Sequence, residues 1–227
     1  MTELELRNSV VAVMVSWLGA IKGDNTHKTI IDIYNTIKPL PRGVRMSYTM
    51  DWCAACVSAA FQAAGLIDLI PAECSCGNMM RAAQELGIWV EDDNYKPQIG
   101  DLVFYDWQDD GFGDNRGAPD HIGLIQRVSA DDKNIWVIEG NTGKQSTVGQ
   151  RLLKVNNRYI RGFITPNYIS KEALAKPTAP WYEEAMTWAK DIGLMDGTRP
   201  LDQITRAEVA TVVKRFYHLL KRGESNE

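Results

Sequence analysis

Hydrophobic positions in the first part of the chain recur at helical spacing. In Leu4–Lys22 the apolar residues lie three or four positions apart, which is typical of a helix with one buried face. Further helices are predicted at His27–Lys38, Asp51–Gly65 and Gly77–Leu86, the last ending before Gly87. The helix from Asp51 is rich in alanine and apolar nearly all round, so we expect it to be the buried central helix.

From Gly100 onward the helical spacing gives way to short strand-like segments with turn residues between them. The predicted strands are Asp101–Trp107, His121–Val128, Asn134–Gly140, Val148–Val155 and Tyr159–Ile164. Helices followed by a meander of strands predict the α+β class with an antiparallel sheet.

After Thr165 the strand pattern stops. The segment KEALAKPTAP, Lys171–Pro180, contains two prolines and small residues, as linkers do. Two short helices, Trp181–Gly193 and Arg206–Leu220, then predict a small all-α module. The predicted organisation is a first domain at 1–166, a linker at 167–180, a module at 181–221 and a tail at 222–227.

Composition and charge narrow the class of protein. Of 227 residues, 44% are hydrophobic and 24% are charged, which favours a folded chain. The net charge of −4 argues against a nucleic-acid partner. No apolar run reaches the roughly 18 residues of a membrane span. Ser9–Ile21 is long enough for a signal-peptide core, but acidic residues precede it and no cleavage site follows. We therefore expect synthesis in the cytoplasm and no export without another agent.

Cys53 is the candidate nucleophile. It lies in the first turn of the predicted central helix, where free N–H groups and the helix dipole lower the pKa of a thiol. The same N–H groups could bind an oxyanion. Cys56, one turn further along, is interpreted as small core filler. In a cytoplasmic protein we expect all four cysteines, including Cys74 and Cys76, to be thiols.

A cysteine nucleophile needs a base that titrates near neutrality and a group that orients it. His121 opens a predicted strand, whereas His27 begins a helix and His218 lies in the C-terminal helix. In the next strand, NIWVIEGN, alternation places Glu139 and Asn141 on one face with apolar residues. His121 is therefore the candidate base, and Glu139 or Asn141 is the candidate orienting group.

Four sequence blocks resemble the CHAP family of amidases and endopeptidases, within the papain-like superfamily that includes NlpC/P60. They are WCAACVSAAFQAAG, PQIGDLVFYDW, DHIGLIQRV and VIEGN, in that order. The resemblance covers roughly Val10–Pro166. It implies a papain-like α+β fold, Cys53 as nucleophile, His121 as base, and Glu139 with Asn141 completing the site. The implied substrate is an amide bond in the peptide part of peptidoglycan.

The chain departs from that family ahead of the cysteine. Some members bind calcium through an acidic loop there, but Arg42–Met50 (RGVRMSYTM) contains no acid. We therefore expect no metal and no other cofactor. Asp51 lies two residues before Cys53, and we expect it to cap the helix by accepting from the Ala54 N–H.

The C-terminal region resembles a single S-layer homology (SLH) module, chiefly in the ITRAE block, Ile204–Glu208. Thr205 and Glu208 also fit a capping box. Arg206 is not needed for a cap, so it is a candidate ligand contact, together with Trp181. The resemblance implies binding of anionic secondary cell-wall polysaccharide, which suits a guanidinium. Such modules act in threes, so we expect tails of separate chains to associate as a homotrimer.

Several alternatives stay open. The Cys53-x2-Cys56 and Cys74-x-Cys76 pairs approach the spacing of a zinc site. The chain could instead be a wall-binding protein without catalysis, or an NlpC/P60-type endopeptidase. N-acetylmuramoyl-L-alanine amidase and peptide-bridge endopeptidase activities are both compatible with the resemblance. A hydrolase with a wall anchor and no signal peptide resembles a bacteriophage endolysin, and a bacterial autolysin is the alternative.

Overall fold

The helices come first in the chain, as the sequence predicts. The computed structural model describes residues 1–92, 94–108, 117–169, 189–191 and 211–214. Before the sheet these residues form α1 (Glu3–Ser16), α2 (Asn25–Tyr34), α3 (Cys53–Ala63) and α4 (Cys76–Glu85), with short 3-10 helices at Pro41–Gly43 and Ile67–Leu69. None of the helices described is long and apolar enough to cross a bilayer.

The strands form one antiparallel sheet, so the predicted α+β class is confirmed. They are β1 (Trp89–Val90), β2 (Leu102–Tyr105), β3 (His121–Val128), β4 (Asn134–Thr142), β5 (Thr147–Lys154) and β6 (Ile160–Ile164). Their order in the sheet is β1-β6-β2-β3-β4-β5, and every neighbouring pair is antiparallel. The sequence did not predict β1, because two residues are too few for an alternating pattern to show.

Helix α3 is buried at the centre of the fold, as its composition predicts. Every residue from Ala54 to Phe61 is buried, and the helix packs against β3, β4, α1 and α2. Gly140 of β4 allows this close approach, because a Cβ atom there would lie 2.5 Å from the Cβ of Cys56. The contact fixes the start of α3 against the ends of β3 and β4.

Two predicted helices extend at least four residues past the observed ends, and α3 is two residues shorter at each end than predicted. Helix α1 ends at Ser16 rather than Lys22. The chain then turns through Gly19, which has a φ of +85°, and Ile21 forms a bridge with Thr147 beside β5. Helix α2 ends at Tyr34 rather than Lys38, and it begins before His27 because the Asp24 side chain accepts from the His27 N–H at 2.7 Å.

The predicted cap of α3 is wrong. The N-cap residue is Trp52, and no side chain caps this helix. The Asp51 side chain is 88% exposed; it accepts instead from the Asn141 amide at 3.3 Å and lies 3.8 Å from the Lys22 ammonium. The fully buried Trp52 ring anchors this turn. The N-cap residue therefore offers no side-chain acceptor to the first N–H groups of α3.

The chain divides into two units, 1–175 and 176–227. Tyr168, which lies within the predicted linker at 167–180, is buried and donates to the Gly100 carbonyl at 2.8 Å. In the second unit the structure describes only 189–191 and 211–214, which are helical. The predicted ligand contacts Trp181 and Arg206 lie outside the described residues, as does most of the SLH-like segment. The module, its boundaries and the trimer stay predictions.

Candidate active site

Cys53 is the first residue of α3 and is partly exposed. Because no side chain caps this helix, N–H groups of its first turn remain available to the thiol and to a bound group. The Ala54 N–H donates to the Cys53 sulfur, which favours the thiolate. The local structure therefore supplies the electropositive setting that a reactive cysteine requires.

His121 and Glu139 meet at the ends of β3 and β4. The Nε2 atom of His121 lies 3.3 Å from the Oε2 atom of Glu139, and both side chains are buried. On the far side of the carboxylate, Arg151 of β5 donates from Nε and Nη2 at 2.7 and 3.0 Å. Glu139 is thus held between a histidine and an arginine, and its orientation is fixed from both sides.

Asn141 differs from Glu139 in its backbone conformation and in its side-chain contacts. The pairing of β4 with β5 is irregular between Glu139 and Thr142, and Asn141 has a left-handed φ of 58°. This irregularity breaks the alternation on which the prediction of a common face depended. The Asn141 amide nitrogen donates to Asp51, while its oxygen is buried without a partner among the described residues. Of the two candidates, Glu139 is the one that contacts the histidine.

The charges of these groups are coupled. The Cys76 thiol donates a hydrogen bond to the Cys53 sulfur, which favours the Cys53 thiolate. Burial opposes the thiolate charge, but the hydrogen bond with His121 also favours it, and the pKa of Cys53 falls to about 5. Burial alone would lower the pKa of His121, but its hydrogen bonds to Cys53 and Glu139 raise it to about 9. Burial likewise opposes the Glu139 carboxylate, yet His121 and Arg151 lower its pKa to about 2. Near neutral pH the site is a thiolate–imidazolium pair beside a carboxylate.

An aromatic wall adjoins the histidine. Tyr105 is the cross-strand partner of His121, and their rings stack with centroids 5.8 Å apart. Trp107 stacks on Tyr105 at 4.8 Å with an interplanar angle of 10°, and the Arg151 guanidinium lies 5.1 Å from the Trp107 ring. Among the described residues, a cavity of about 270 Å³ is lined by Trp107, His121, Asn141, Thr142, Gly143 and Arg151.

The four cysteines occupy three different surroundings. Cys56 is fully buried and its sulfur contacts the Met14 sulfur at 3.9 Å, as expected for core filler. The Cys74 sulfur accepts from Arg42 at 3.6 Å. The Cys76 sulfur lies 3.5 Å from the Cys53 sulfur. This divergence argues against a shared zinc site, and the described residues contain no cluster of three or more metal-ligating side chains.

Sequence reasoning missed three residues of this site: Trp107, Arg151 and Cys76. Arg151 could have been suspected, since it is a charged residue within an alternating strand. Its contact with Glu139 depends on the β4–β5 register, in which Glu139 pairs with Gly149 and Arg151 reaches it diagonally. Cys76 gave no signal, because its place beside Cys53 results from the packing of α4 near α3.

The family comparison bears on the segment that contains this site. Residues 45–141 match the CHAP domain family. The CHAP match spans less than half of the chain, but it includes Cys53, His121, Glu139 and Asn141. The match therefore shows a likeness to the CHAP domain in the segment that contains the candidate site.

Two further comparisons add less. No curated protein matches the chain. Among solved structures, the chain is similar to the one described as the crystal structure of Ly7917, with 16% identity and a TM-score of 0.40. The similar region covers 70% of this chain and 62% of the Ly7917 chain, so this chain spans less than two thirds of the length of that protein.

Proposed function

We propose that this chain cleaves an amide bond in the peptide part of peptidoglycan by cysteine nucleophilic catalysis. Cys53 is the nucleophile, His121 is the acid and base, and Glu139 orients the imidazole. The observation that carries the proposal is the buried contact between His121 and Glu139, 3.3 Å apart, next to a thiol at an uncapped helix N-terminus. This is the arrangement by which a thiol, a base and an orienting carboxylate act together.

Acylation begins with attack of the Cys53 thiolate on the carbonyl carbon of the scissile amide. The carbonyl oxygen becomes an oxyanion, and the free N–H groups at the start of α3, with that of Cys53 foremost, stabilise it. The imidazolium of His121 donates its proton to the amide nitrogen. The C–N bond then breaks, the amine leaves, and the acyl group remains on Cys53 as a thioester.

Deacylation reverses the roles of the same groups. Neutral His121 takes a proton from a water molecule, and the resulting hydroxide attacks the thioester carbon. Collapse of this second oxyanion releases the carboxylic acid and returns the thiolate to Cys53. Glu139 stabilises the imidazolium whenever it forms, and Arg151 holds that carboxylate in place throughout.

The cavity beside His121 suits an extended peptide that carries polar groups. Trp107 offers a flat apolar surface and is 38% exposed. The Arg151 side chain is 36% exposed although its guanidinium is paired with Glu139. The buried Asn141 oxygen has no partner among the described residues and is an acceptor that a substrate N–H can satisfy. A stem peptide, with amides and small side chains, presents complementary groups.

The C-terminal segment gives the proposal its biological setting. We propose that the SLH-like segment, through Arg206 and Trp181, binds secondary cell-wall polysaccharide, and that association of tails into a trimer strengthens binding. The pairing of a CHAP hydrolase with a wall anchor fits an endolysin made in the cytoplasm that reaches the wall after release. An autolysin with the same chemistry would share the site and differ in its route to the wall.

Product analysis tests the chemistry. Purified sacculi digested with wild-type protein should release fragments with new amino groups and no new reducing sugars, and mass spectrometry identifies the bond. A free amino group on L-alanine denotes an amidase, whereas one from a cross-bridge denotes an endopeptidase. New reducing ends, or identical fragments from Cys53→Ala, would overturn the proposal.

A truncation tests the anchor separately. Protein ending at Ile169 should retain hydrolysis of solubilised peptidoglycan fragments while losing co-sedimentation with intact walls, and Arg206→Ala in the full chain should weaken co-sedimentation. Light scattering compares the assembly of the full and shortened chains. Equal wall binding by both would refute the anchor, and a monomeric full chain would refute the trimer.

A further inference from the structure

The sulfur atoms of Cys53 and Cys76 lie 3.5 Å apart, and both cysteines are free thiols. Each is the first residue of its helix, Cys53 of α3 and Cys76 of α4. Two helix N-termini therefore bring two sulfurs into van der Waals contact inside the site. A disulfide bond has an S–S length of about 2.0 Å, so the two sulfurs have to approach by about 1.5 Å to form one.

The other cysteines are not placed to compete for Cys53. Cys56 is on the buried side of α3 against Met14. The Cys74 sulfur is engaged by Arg42, whose guanidinium also forms a two-bond pair with Glu73. Cys76 is therefore the one partner that the described structure offers to the nucleophile.

We propose that Cys53 and Cys76 form a reversible disulfide when the protein meets a hydroperoxide, and that this modification holds the enzyme inactive until a thiol reduces it. The disulfide requires only the two sulfurs. The inactivation additionally rests on the proposed role of Cys53 as nucleophile, because a disulfide-bonded sulfur cannot attack a carbonyl.

The oxidation proceeds in two balanced steps. The Cys53 thiolate attacks one oxygen of hydrogen peroxide, the O–O bond breaks, and Cys53 becomes a sulfenic acid while hydroxide leaves and takes a proton from His121. The Cys76 sulfur then attacks the Cys53 sulfur, the S–O bond breaks, and the leaving hydroxide takes the Cys76 thiol proton. Overall, two thiols and one peroxide give one disulfide and two water molecules.

Exposure and ionisation set the order of these steps. Cys53 is partly exposed and carries the thiolate, so it meets the oxidant first. Cys76 is 7% exposed and remains protonated, because its hydrogen bond to the Cys53 sulfur, burial and the Cys53 charge raise its pKa. Cys76 thus acts as the resolving cysteine, and it captures the sulfenic acid before a second peroxide can oxidise Cys53 irreversibly.

Mass spectrometry of the full-length protein tests the disulfide directly. Wild-type protein treated with hydrogen peroxide and then digested under non-reducing conditions should yield a linked peptide pair that contains Cys53 and Cys76. Its mass should be lower by two hydrogen atoms than the sum of the separate peptides, and dithiothreitol should separate the pair. No linked pair, or a pair that contains Cys74 instead, would overturn the proposal.

Two variants connect the bond to activity. Cys74→Ala, the matched control two residues away, should lose activity with peroxide and regain it with dithiothreitol, as wild type does. Cys76→Ser should lose activity without recovery, and its Cys53 peptide should gain two oxygen atoms. Recovery of Cys76→Ser by dithiothreitol would refute the resolving role. If the wild-type protein forms the linked pair but the Cys53→Ala variant is fully active, the proposed catalysis is refuted. The disulfide between Cys53 and Cys76 would then still stand.

Discussion

The Nε2 atom of His121 lies 3.3 Å from the Oε2 atom of Glu139, and that carboxylate is 1% exposed. A buried negative charge so close to the ring is one of the influences that raise the pKa of His121. Arg151 keeps the carboxylate ionised in turn. The protonation state of His121 therefore depends on Glu139 and, through Glu139, on Arg151.

Replacement of Glu139 by glutamine should shift the alkaline limb of activity. Without the carboxylate the pKa of His121 falls, so the imidazolium is lost at lower pH; the limb should move about one pH unit toward acid. We also expect kcat/KM to fall about 100-fold at neutral pH. Steady-state rates on a defined stem-peptide substrate, measured from pH 4 to about pH 10, provide the profile.

Glu73→Gln is the matched control for this variant. Glu73 is also a buried carboxylate in a two-bond pair with an arginine, Arg42, but it does not contact His121. Both substitutions should lower the free energy of unfolding, and only Glu139→Gln should move the pH profile. The same shift in both variants would mean that the effect is general and not local to the histidine.

The wild-type profile should be bell-shaped with unusually wide limits. Activity requires the Cys53 thiolate and the His121 imidazolium together. It is lost as pH falls through the Cys53 pKa of about 5 and as pH rises through the His121 pKa of about 9. These are values of the coupled pair. A rate that still rises above pH 9 would show that Cys53 ionises with an ordinary pKa.

Trp107 should contribute to substrate binding. It lines the cavity next to His121 and stacks on Tyr105. Trp107→Ala should raise KM about fivefold with a smaller effect on kcat, since loss of one aromatic contact costs about 1 kcal/mol. Trp136→Ala is the control, because Trp136 stacks under Arg127 and does not line the cavity. Equal KM values for the two variants would place the substrate elsewhere.

The close approach of Gly140 to α3 should make this position intolerant of a side chain. In Gly140→Ala the new methyl would lie 2.5 Å from the Cβ of Cys56 and 2.7 Å from its sulfur. We expect a loss of about 1–3 kcal/mol in the free energy of unfolding from overpacking. Gly149→Ala should cost less, because its one close contact is the Cγ2 methyl of Thr142 at 2.8 Å and the Thr147 hydroxyl lies at 3.6 Å. Urea denaturation measures the free energy of unfolding of both variants. A larger loss in Gly149→Ala than in Gly140→Ala would contradict this account.

The sequence was sufficient to predict the site residues whose positions depend on a single helix or strand. The spacing of α3 and the start of β3 predicted where Cys53 and His121 would lie, because these positions depend on helix and strand periodicity. Sequence reasoning failed where tertiary contacts determine the local structure. Asp51 has the chemistry of a cap, but the burial of Trp52 sets the first turn and leaves Asp51 exposed.

Long-range packing explains the other differences. The choice between Glu139 and Asn141 depended on alternation that an irregularity in β4 interrupts, and a single sequence does not reveal such an irregularity. The contact of Cys76 with Cys53 joins residues 23 positions apart through the packing of two helices. Neither periodicity nor motif spacing encodes that distance.

The most direct test of the account is the rate at which Cys53→Ala hydrolyses purified sacculi, compared with wild type and with Cys74→Ala. If Cys53 is the nucleophile, Cys53→Ala should be slower by at least about 1,000-fold, because the covalent step is removed, while its thermal unfolding stays close to that of wild type. Cys74→Ala should retain its rate, since Cys74 contacts Arg42 outside the catalytic site. A folded Cys53→Ala protein that still releases amino groups at the wild-type rate would contradict the account.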